Sequence, residues 1–118
     1  MSFAETLRGL LGRIKGAEMI LICGADGIPV EHAGATGLVS PDDLSAETSQ
    51  LMRNIADALR SLELGKAEES TFATEKCIIV LRAITDEYYL AAVLSPGGNS
   101  GQARFMLRIT AAQIKHEF

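Results

Sequence analysis

Residues 19–34 of the chain, MILICGADGIPVEHAG, predict a β-hairpin. The apolar run over 19–23 is too short for a helix and is typical of a strand that is covered on both faces. Asp26 and Gly27 follow as a turn, because glycine accepts the positive φ that a tight hairpin turn needs. Pro29 cannot donate a hydrogen bond to a neighbouring strand. The second strand of the hairpin should therefore lie at an edge of a sheet.

The same stretch contains side chains from which metal sites and catalytic sites are made, namely Cys23, Asp26, Glu31 and His32. Glu31 and His32 are consecutive on a strand, so their side chains should leave opposite faces of the sheet. No C-x-x-C or H-x-x-x-H pair supports a metal site. We interpret these residues as architectural, with Cys23 and Cys77 as buried free thiols, and we expect no metal, no cofactor and no catalytic residue.

Length and charge narrow the class of protein. The 118 residues fit a single domain that buries its own core, spanning 1–118. The formal charge is −4, with 11 Lys and Arg among 15 Asp and Glu, whereas nucleic-acid binding requires a basic stripe. No apolar run approaches the roughly 18 residues that span a bilayer, and the N-terminus lacks a secretory pattern. We expect a cytoplasmic protein that binds neither nucleic acid nor membrane.

Apolar residues at helical spacing predict three helices, over residues 3–14, 41–64 and 102–118. The first helix begins with a capping box of Ser2 and Glu5, and the second begins with Ser40 as its cap. The second helix should run to Leu64 and stop at Gly65. Ser100 is the expected cap of the third.

Three further strands complete the predicted sheet. Residues 66–74 are strand-like but polar, which is typical of an edge strand, whereas 77–84 and 88–95 are apolar and should be interior strands. Hairpins join strands one to two, three to four and four to five. Because strands two and three lie at the edges, strands one and five must be neighbours. The order is then 2-1-5-4-3, all antiparallel. The second helix covers one face and the other two helices cover the other face. The predicted fold class is α+β, a three-layer α/β/α sandwich.

The second helix and the third strand predict a homodimer. The apolar stripe of this helix should pack on the sheet, and it comprises Leu44, Leu51, Ile55, Ala58, Leu59 and Leu62. A shoulder of small or flexible side chains lies beside the stripe and would let a second helix approach closely. The third strand has no proline to block its free backbone groups. We expect a two-fold dimer with candidate interface residues Ser45, Ser49, Met52, Ala56, Glu68, Ser70 and Phe72.

Phe105 and Ile109 give the third helix a second apolar side, because they lie four residues apart and roughly opposite its main apolar face. The ordinary explanation is that the first helix packs alongside and covers them. The alternative is an exposed patch that binds a partner.

The order of elements and several stretches resemble the roadblock family, named after a dynein light chain. The resemblance covers nearly the whole chain, including GKAEESTFATEKCIIVLRAITDEYYLAAVLS and NSGQARFMLRITAAQI. Its clearest features are the Asp-Gly-apolar turn at 26–28, Gly65 before the polar third strand, and Gly101 with Arg104 at the start of the last helix. The resemblance implies a dimer with a continuous ten-stranded sheet and a non-enzymatic adaptor role. Prokaryotic members of this size, such as gliding-polarity regulators, bind a Ras-like small GTPase and stimulate GTP hydrolysis.

We therefore expect a non-enzymatic dimeric adaptor that binds a Ras-like small GTPase and modulates its GTP hydrolysis or localisation. No arginine lies on an obvious protruding loop, so the sequence favours activation by contact over a donated arginine. The second helix and the loop over 34–41 are the expected partner surface, and the candidate residues are Val39, Arg53, Phe105 and Ile109. The alternatives are a small-molecule-binding sensor module and a purely structural scaffold subunit.

Overall fold

The computed structural model describes residues 2–118. The elements follow in the order α1 (Phe3–Arg13), β1 (Ala17–Gly24), β2 (Pro29–Gly34), α2 (Pro41–Ser61), β3 (Glu69–Ala73), β4 (Ile78–Ala83), β5 (Tyr88–Leu94) and α3 (Ser100–Ile114), with a 3-10 turn at Lys115–Glu117. The strands form one antiparallel sheet in the order β2-β1-β5-β4-β3. α1 and α3 cover one face and α2 packs on the other. The predicted fold class and strand order are confirmed.

The central strands are apolar over Met19–Cys23 of β1 and along β5, because helices pack against both faces of these segments. Side chains alternate between two buried clusters along each strand. In β1, Ile20 and Ile22 belong to the cluster under α1 and α3, whereas Met19, Leu21 and Cys23 belong to the cluster under α2. A continuous apolar run is thus needed to fill both cores.

The turn between β1 and β2 has the predicted chemistry. Gly27 has a φ of +88°, in the left-handed region that favours glycine. The carboxylate of Asp26 accepts a hydrogen bond from the Ile28 N–H at 3.0 Å, and the Gly24 N–H donates to the Ile28 carbonyl at 2.9 Å. β2, which begins at Pro29, lies at the edge of the sheet as predicted.

The helix caps agree with the predictions at two of three positions. Ser2 and Glu5 form the capping box of α1, and hydrogen bonds from Ser2 lower the pKa of the Glu5 carboxyl. The Ser40 hydroxyl accepts from the Asp43 N–H at the start of α2. The cap of α3 is Asn99 rather than Ser100, because the Asn99 side-chain carbonyl accepts from the Gln102 N–H at 2.9 Å. α3 therefore begins at Ser100, two residues earlier than predicted.

α2 ends earlier than its glycine signal indicated. The last helical residue is Ser61, not Leu64, and Glu63 already has a φ of +57°. Gly65, with a φ of +87°, lies in the connection to β3. Within residues 2–118, the structure contains no helix that is both long enough and apolar enough to cross a membrane.

Candidate interaction surfaces

The outer edge of β3 presents free backbone groups. β3 pairs with β4, and the Thr74 N–H donates to the Cys77 carbonyl at 2.8 Å while the Ala83 N–H donates to the Glu68 carbonyl at 3.0 Å. Backbone N–H and C=O groups point alternately to the two sides of an antiparallel strand. Because the groups of Glu68 and Thr74 bond to the β4 side, those of residues 70 and 72 point toward β4 as well. The backbone N–H and C=O groups of residues 69, 71 and 73 therefore point away from the sheet.

The predicted interface residues of this segment lie on or beside that edge. Ser70 and Phe72 pair with Leu81 and Ile79 of β4, and Phe72 packs against the cluster under α2. Both side chains are half-buried. Glu68 is exposed just before β3, where its carboxylate lies 3.6 Å from the Arg82 guanidinium. The structure thus brings these three residues to one edge of the subunit.

α2 contacts the sheet through a face that the sequence did not predict. Its buried residues are Leu44, Ser45, Thr48 and Ser49. The Ser45 hydroxyl donates to Cys23 Sγ at 3.2 Å, and the Tyr89 hydroxyl donates to the Ser45 carbonyl at 3.2 Å. The hydroxyls of Thr48 and Tyr89 lie 2.6 Å apart. The predicted role of Ser45 and Ser49 in a surface shoulder is wrong, because both side chains are buried inside the subunit.

The small residues of α2 bring it close to the β1–β2 turn instead. A Cβ atom added at Gly27 would lie 3.1 Å from Ser49 Oγ, which leaves little room for a larger side chain on either element. Burial raises the pKa of the Cys23 thiol and that of the Tyr89 hydroxyl. Both groups are therefore neutral, as expected for hydroxyls and thiols that join a helix to a sheet.

The second half of α2 carries the predicted apolar stripe on its surface. No residue of α2 after Ser49 is buried. Leu51 and Leu62 are 42% and 66% exposed, and Ile55 and Leu59 are half-buried. The stripe expected to pack on the sheet is therefore largely uncovered within the described chain, which indicates a surface for another molecule.

A groove of about 810 Å³ separates the second half of α2 from the β4–β5 turn. Met52 and Ala56 lie in its α2 wall, and Thr85 and Asp86 lie in the opposite wall. The Arg53 guanidinium donates to the Ala25 carbonyl at 2.6 Å and fixes α2 to the β1–β2 turn. Met52 and Ala56 are half-buried in the groove wall, whereas Ser45 and Ser49 are fully buried.

Phe105 and Ile109 are exposed on α3, at 54% and 41%. The buried residues of this helix are Ala103, Leu107, Thr110, Ala111 and Ile114. The explanation that α1 covers Phe105 and Ile109 is wrong, because α1 lies over β1 and β2 while α3 lies over β4 and β5. The two side chains point away from the core.

The four residues proposed as a partner surface do not form one surface. Val39 packs against the cluster under α2, and Arg53 bonds the β1–β2 turn. Phe105 and Ile109 belong to α3, which covers the opposite face of the sheet. A single partner patch containing all four residues is therefore excluded by the layered fold.

The reactive residues of the hairpin are separated. Cys23 is buried under α2, while the His32 side chain is exposed on β2 and Glu31 is half-buried. In the part of the chain that the structure describes, no group of three or more His, Cys, Asp or Glu residues could hold a metal ion. Cys23 and Cys77 are buried free thiols, as predicted.

The family model of the Roadblock/LC7 domain matches residues 3–95. The chain belongs to the Roadblock/LC7 family. Among solved structures, this roadblock chain is similar to a Roadblock/LC7 domain from Streptomyces avermitilis, with a TM-score of 0.89 and 13% identity over 99% of this chain and 98% of that one. The predicted family resemblance is confirmed.

Two further solved structures share the fold. MglC from Myxococcus xanthus has a TM-score of 0.70 and 28% identity, with complete coverage of both chains. The gliding protein MglB from Thermus thermophilus has a TM-score of 0.82 and 17% identity, over 97% of this chain and 88% of that chain. A comparison with curated protein sequences gave no significant match.

Proposed function

We propose that this roadblock chain forms a cytoplasmic homodimer that binds a Ras-like small GTPase and modulates its GTP hydrolysis or localisation. Membership of the Roadblock/LC7 family supports an adaptor role, and the likeness to MglC and to the gliding protein MglB supports the regulatory branch. The match to the Streptomyces avermitilis domain over 99% of the chain supports a single roadblock domain at 1–118.

The open edge of β3 is the observation that carries the dimer. Residues 69, 71 and 73 direct their free N–H and C=O groups outward, so a second β3 can pair with them in antiparallel fashion. A two-fold axis at Thr71 would place Glu69 of one protomer opposite Ala73 of its partner, and no two like charges would be opposed. Ser70 and Phe72 would then face each other on the α2 side. The two sheets would join into one of ten strands.

The second half of α2 would complete the dimer. Leu51 is exposed, as is Leu62 one residue past the helix end, and the half-buried Met52 and Ala56 line the groove beside the stripe. Because the α2 side of the sheet holds the half-buried Phe72 at the same edge, the two α2 helices and the two β3 strands would bury apolar side chains together.

Regulation of the GTPase would occur through contact. The seven arginines lie in helices or in β4: Arg8, Arg13, Arg53, Arg60, Arg82, Arg104 and Arg108. An arginine that stabilises the transition state in trans must reach into the nucleotide site from a projecting position. This arrangement supports an adaptor that repositions groups of the GTPase. Val39 and Arg53 are the candidate contacts on the α2 side.

Binding can be measured with Ras-like small GTPases from the same organism, loaded with GDP or with a non-hydrolysable GTP analogue. We expect the dimer to retain the GTPase in a pull-down, to favour one nucleotide state, and to change the rate of phosphate release. Charge reversal by Arg53→Glu should weaken retention, whereas Lys76→Glu, in the exposed β3–β4 turn, should leave it unchanged. Absence of binding in both nucleotide states would remove the proposal.

The groove beside α2 supports a second candidate function, a small-molecule sensor. Its volume of about 810 Å³ lies in the range of ligand sites. Basic residues outnumber acidic ones in its lining, although Lys66 and Arg82 form ion pairs with Asp86 and Glu68. A thermal-shift screen of anionic metabolites would test it. Stabilisation that Met52→Trp abolishes would favour the sensor, and an unchanged melting temperature across the screen would leave the GTPase adaptor as the sole proposal.

A further inference from the structure

The outer face of α3 combines exposed apolar residues with unpaired positive charge. Phe105 and Ile109 lie at the centre of this face, opposite the buried residues of the helix. Arg104 and Arg108 are exposed on its flank, and the Arg108 guanidinium lies 5.6 Å from the centre of the Phe105 ring. Within residues 2–118 neither arginine forms an ion pair. The face therefore offers two cations that have no carboxylate partner in the described chain.

Charges that are scattered along the sequence are sorted by layer in the fold. α3, Ser100–Ile114, contains no aspartate or glutamate, and α1, which covers the same face of the sheet, contributes Arg8 and Arg13 against a single acid, Glu5. On the other face of the sheet, α2 carries four acids against two arginines: Asp42, Asp43, Glu47 and Asp57 against Arg53 and Arg60. The α3 side is thus positive although the whole chain is negative.

We propose that this face, defined by Arg104, Phe105, Arg108 and Ile109, is a docking site for an acidic amphipathic helix of a partner protein. Phe105 and Ile109 are four residues apart and would pack between apolar side chains of the partner helix. Acidic residues beside the partner's apolar stripe would pair with Arg104 and Arg108. The site goes beyond the proposed function, because it lies on the opposite face of the sheet from α2 and does not include β3.

The composition of the face favours a protein helix over other anionic molecules. Aromatic residues and arginine are enriched at protein–protein interfaces, and both occur at its centre. A nucleic acid would give Ile109 no apolar contact, and its affinity would depend on many more phosphate contacts than two arginines provide. A membrane surface would bind this face weakly, because only two large apolar side chains could insert and the other face of α3 is buried in the core.

The test uses three synthetic helical peptides with the same leucine stripe and with glutamate, lysine or glutamine at the flanking positions. Each labelled peptide is titrated with the full chain by fluorescence anisotropy. We expect the glutamate peptide to bind at least about tenfold more tightly than the other two, and its affinity to fall as salt rises. Equal affinities for the three peptides would overturn the proposal.

Variants separate the two components of the site. Phe105→Ser with Ile109→Ser should weaken the glutamate peptide by at least about tenfold, because the apolar anchors are lost. Arg104→Glu with Arg108→Glu should transfer the preference to the lysine peptide, a result that general destabilisation of the fold cannot produce. Unchanged binding in both double variants would place the site elsewhere and overturn the proposal.

Controls distinguish this proposal from the others. Leu38→Ser and Lys76→Glu alter an exposed apolar residue and an exposed cation outside α3, and should leave peptide affinity unchanged. Phosphatidylserine vesicles and a single-stranded oligonucleotide are titrated in parallel, and a clear preference for either over the glutamate peptide would overturn the protein-helix proposal. The α3 variants should still dimerise and retain the GTPase, so failure of this proposal and failure of the proposed function have separate signatures.

Discussion

Replacing Thr71 by proline should convert the proposed dimer into monomers without unfolding the subunit. The Thr71 N–H points away from β4, because hydrogen bonds to β4 are made by the even-numbered residues of this segment. Proline at this position therefore removes no hydrogen bond within the subunit. Ser70, which would precede the proline, is already in an extended strand, the conformation that a following proline favours.

The expected loss of dimer stability follows from the number of hydrogen bonds that the pairing would form at Thr71. A two-fold axis at Thr71 would create three hydrogen-bonded residue pairs between the protomers, with two hydrogen bonds in each. The substitution would remove both central donors, one from each protomer, and would leave two carbonyl groups without partners in the interface. A hydrogen bond contributes about 1 kcal/mol net, and an unsatisfied buried group costs about 1–3 kcal/mol. The two lost hydrogen bonds and the two unpaired carbonyls together cost about 4–8 kcal/mol, which raises the dimer Kd by about a thousandfold or more.

Sedimentation equilibrium over a range of concentrations would measure the Kd of the wild type and the variants. Thr71→Val is the matched control, since it keeps the backbone donor and the branched side chain, and it should dimerise like the wild type. Circular dichroism and thermal melting should show a folded monomer for Thr71→Pro. A folded Thr71→Pro with the wild-type Kd would refute pairing through β3, and a wild type that is monomeric at micromolar concentration would refute the dimer itself.

Tyr89→Phe removes the hydroxyl that joins α2 to the sheet and should lower the free energy of unfolding in urea by about 1–2 kcal/mol. Tyr88→Phe keeps the ring that packs against Phe118 and should have an effect near zero, so equal losses would contradict the role of the Tyr89 hydroxyl. Gly27→Ala, at a φ of +88° and against α2, should cost about 1–2 kcal/mol, and Gly37→Ala, in open space, should cost far less by the same measurement. Because burial raises the pKa of the Cys23 thiol, iodoacetamide at neutral pH should modify it only after unfolding, as read by mass spectrometry; rapid modification of the native protein would show that α2 opens.

The sheet could be predicted because its decisive signals are local. Pro29 marks one edge and the polar third strand marks the other, and short connections force the remaining strands into hairpins. Gly27 fixes the first turn through its own backbone. Each of these signals acts within a few residues, so the sequence alone contains the information.

The orientation of α2 could not be predicted from its apolar pattern. An amphipathic helix is expected to pack its most apolar stripe on the sheet, which for α2 would bury Leu51, Ile55 and Leu59. In the structure, Ser45 and Thr48 replace apolar contacts with hydrogen bonds to Cys23 and Tyr89, residues that lie far away in the sequence. The exposure of Phe105 was missed for a related reason, because whether α1 reaches α3 depends on which strands each helix covers. Such choices are made by tertiary contacts and leave no local signal.

The two edges of the sheet differ in a way that limits how large an assembly can grow. β2 carries Pro29, a shifted register against β1 between Ile22 and Cys23, and Gly34 with a φ of +76° at its end. β3 has a regular ladder and no such interruption. A chain with two regular edges could add copies without limit and form fibres. Within residues 2–118, the β3 edge is the regular one, and pairing through β3 would occupy it, so that the sheet would stop at two chains at any protein concentration.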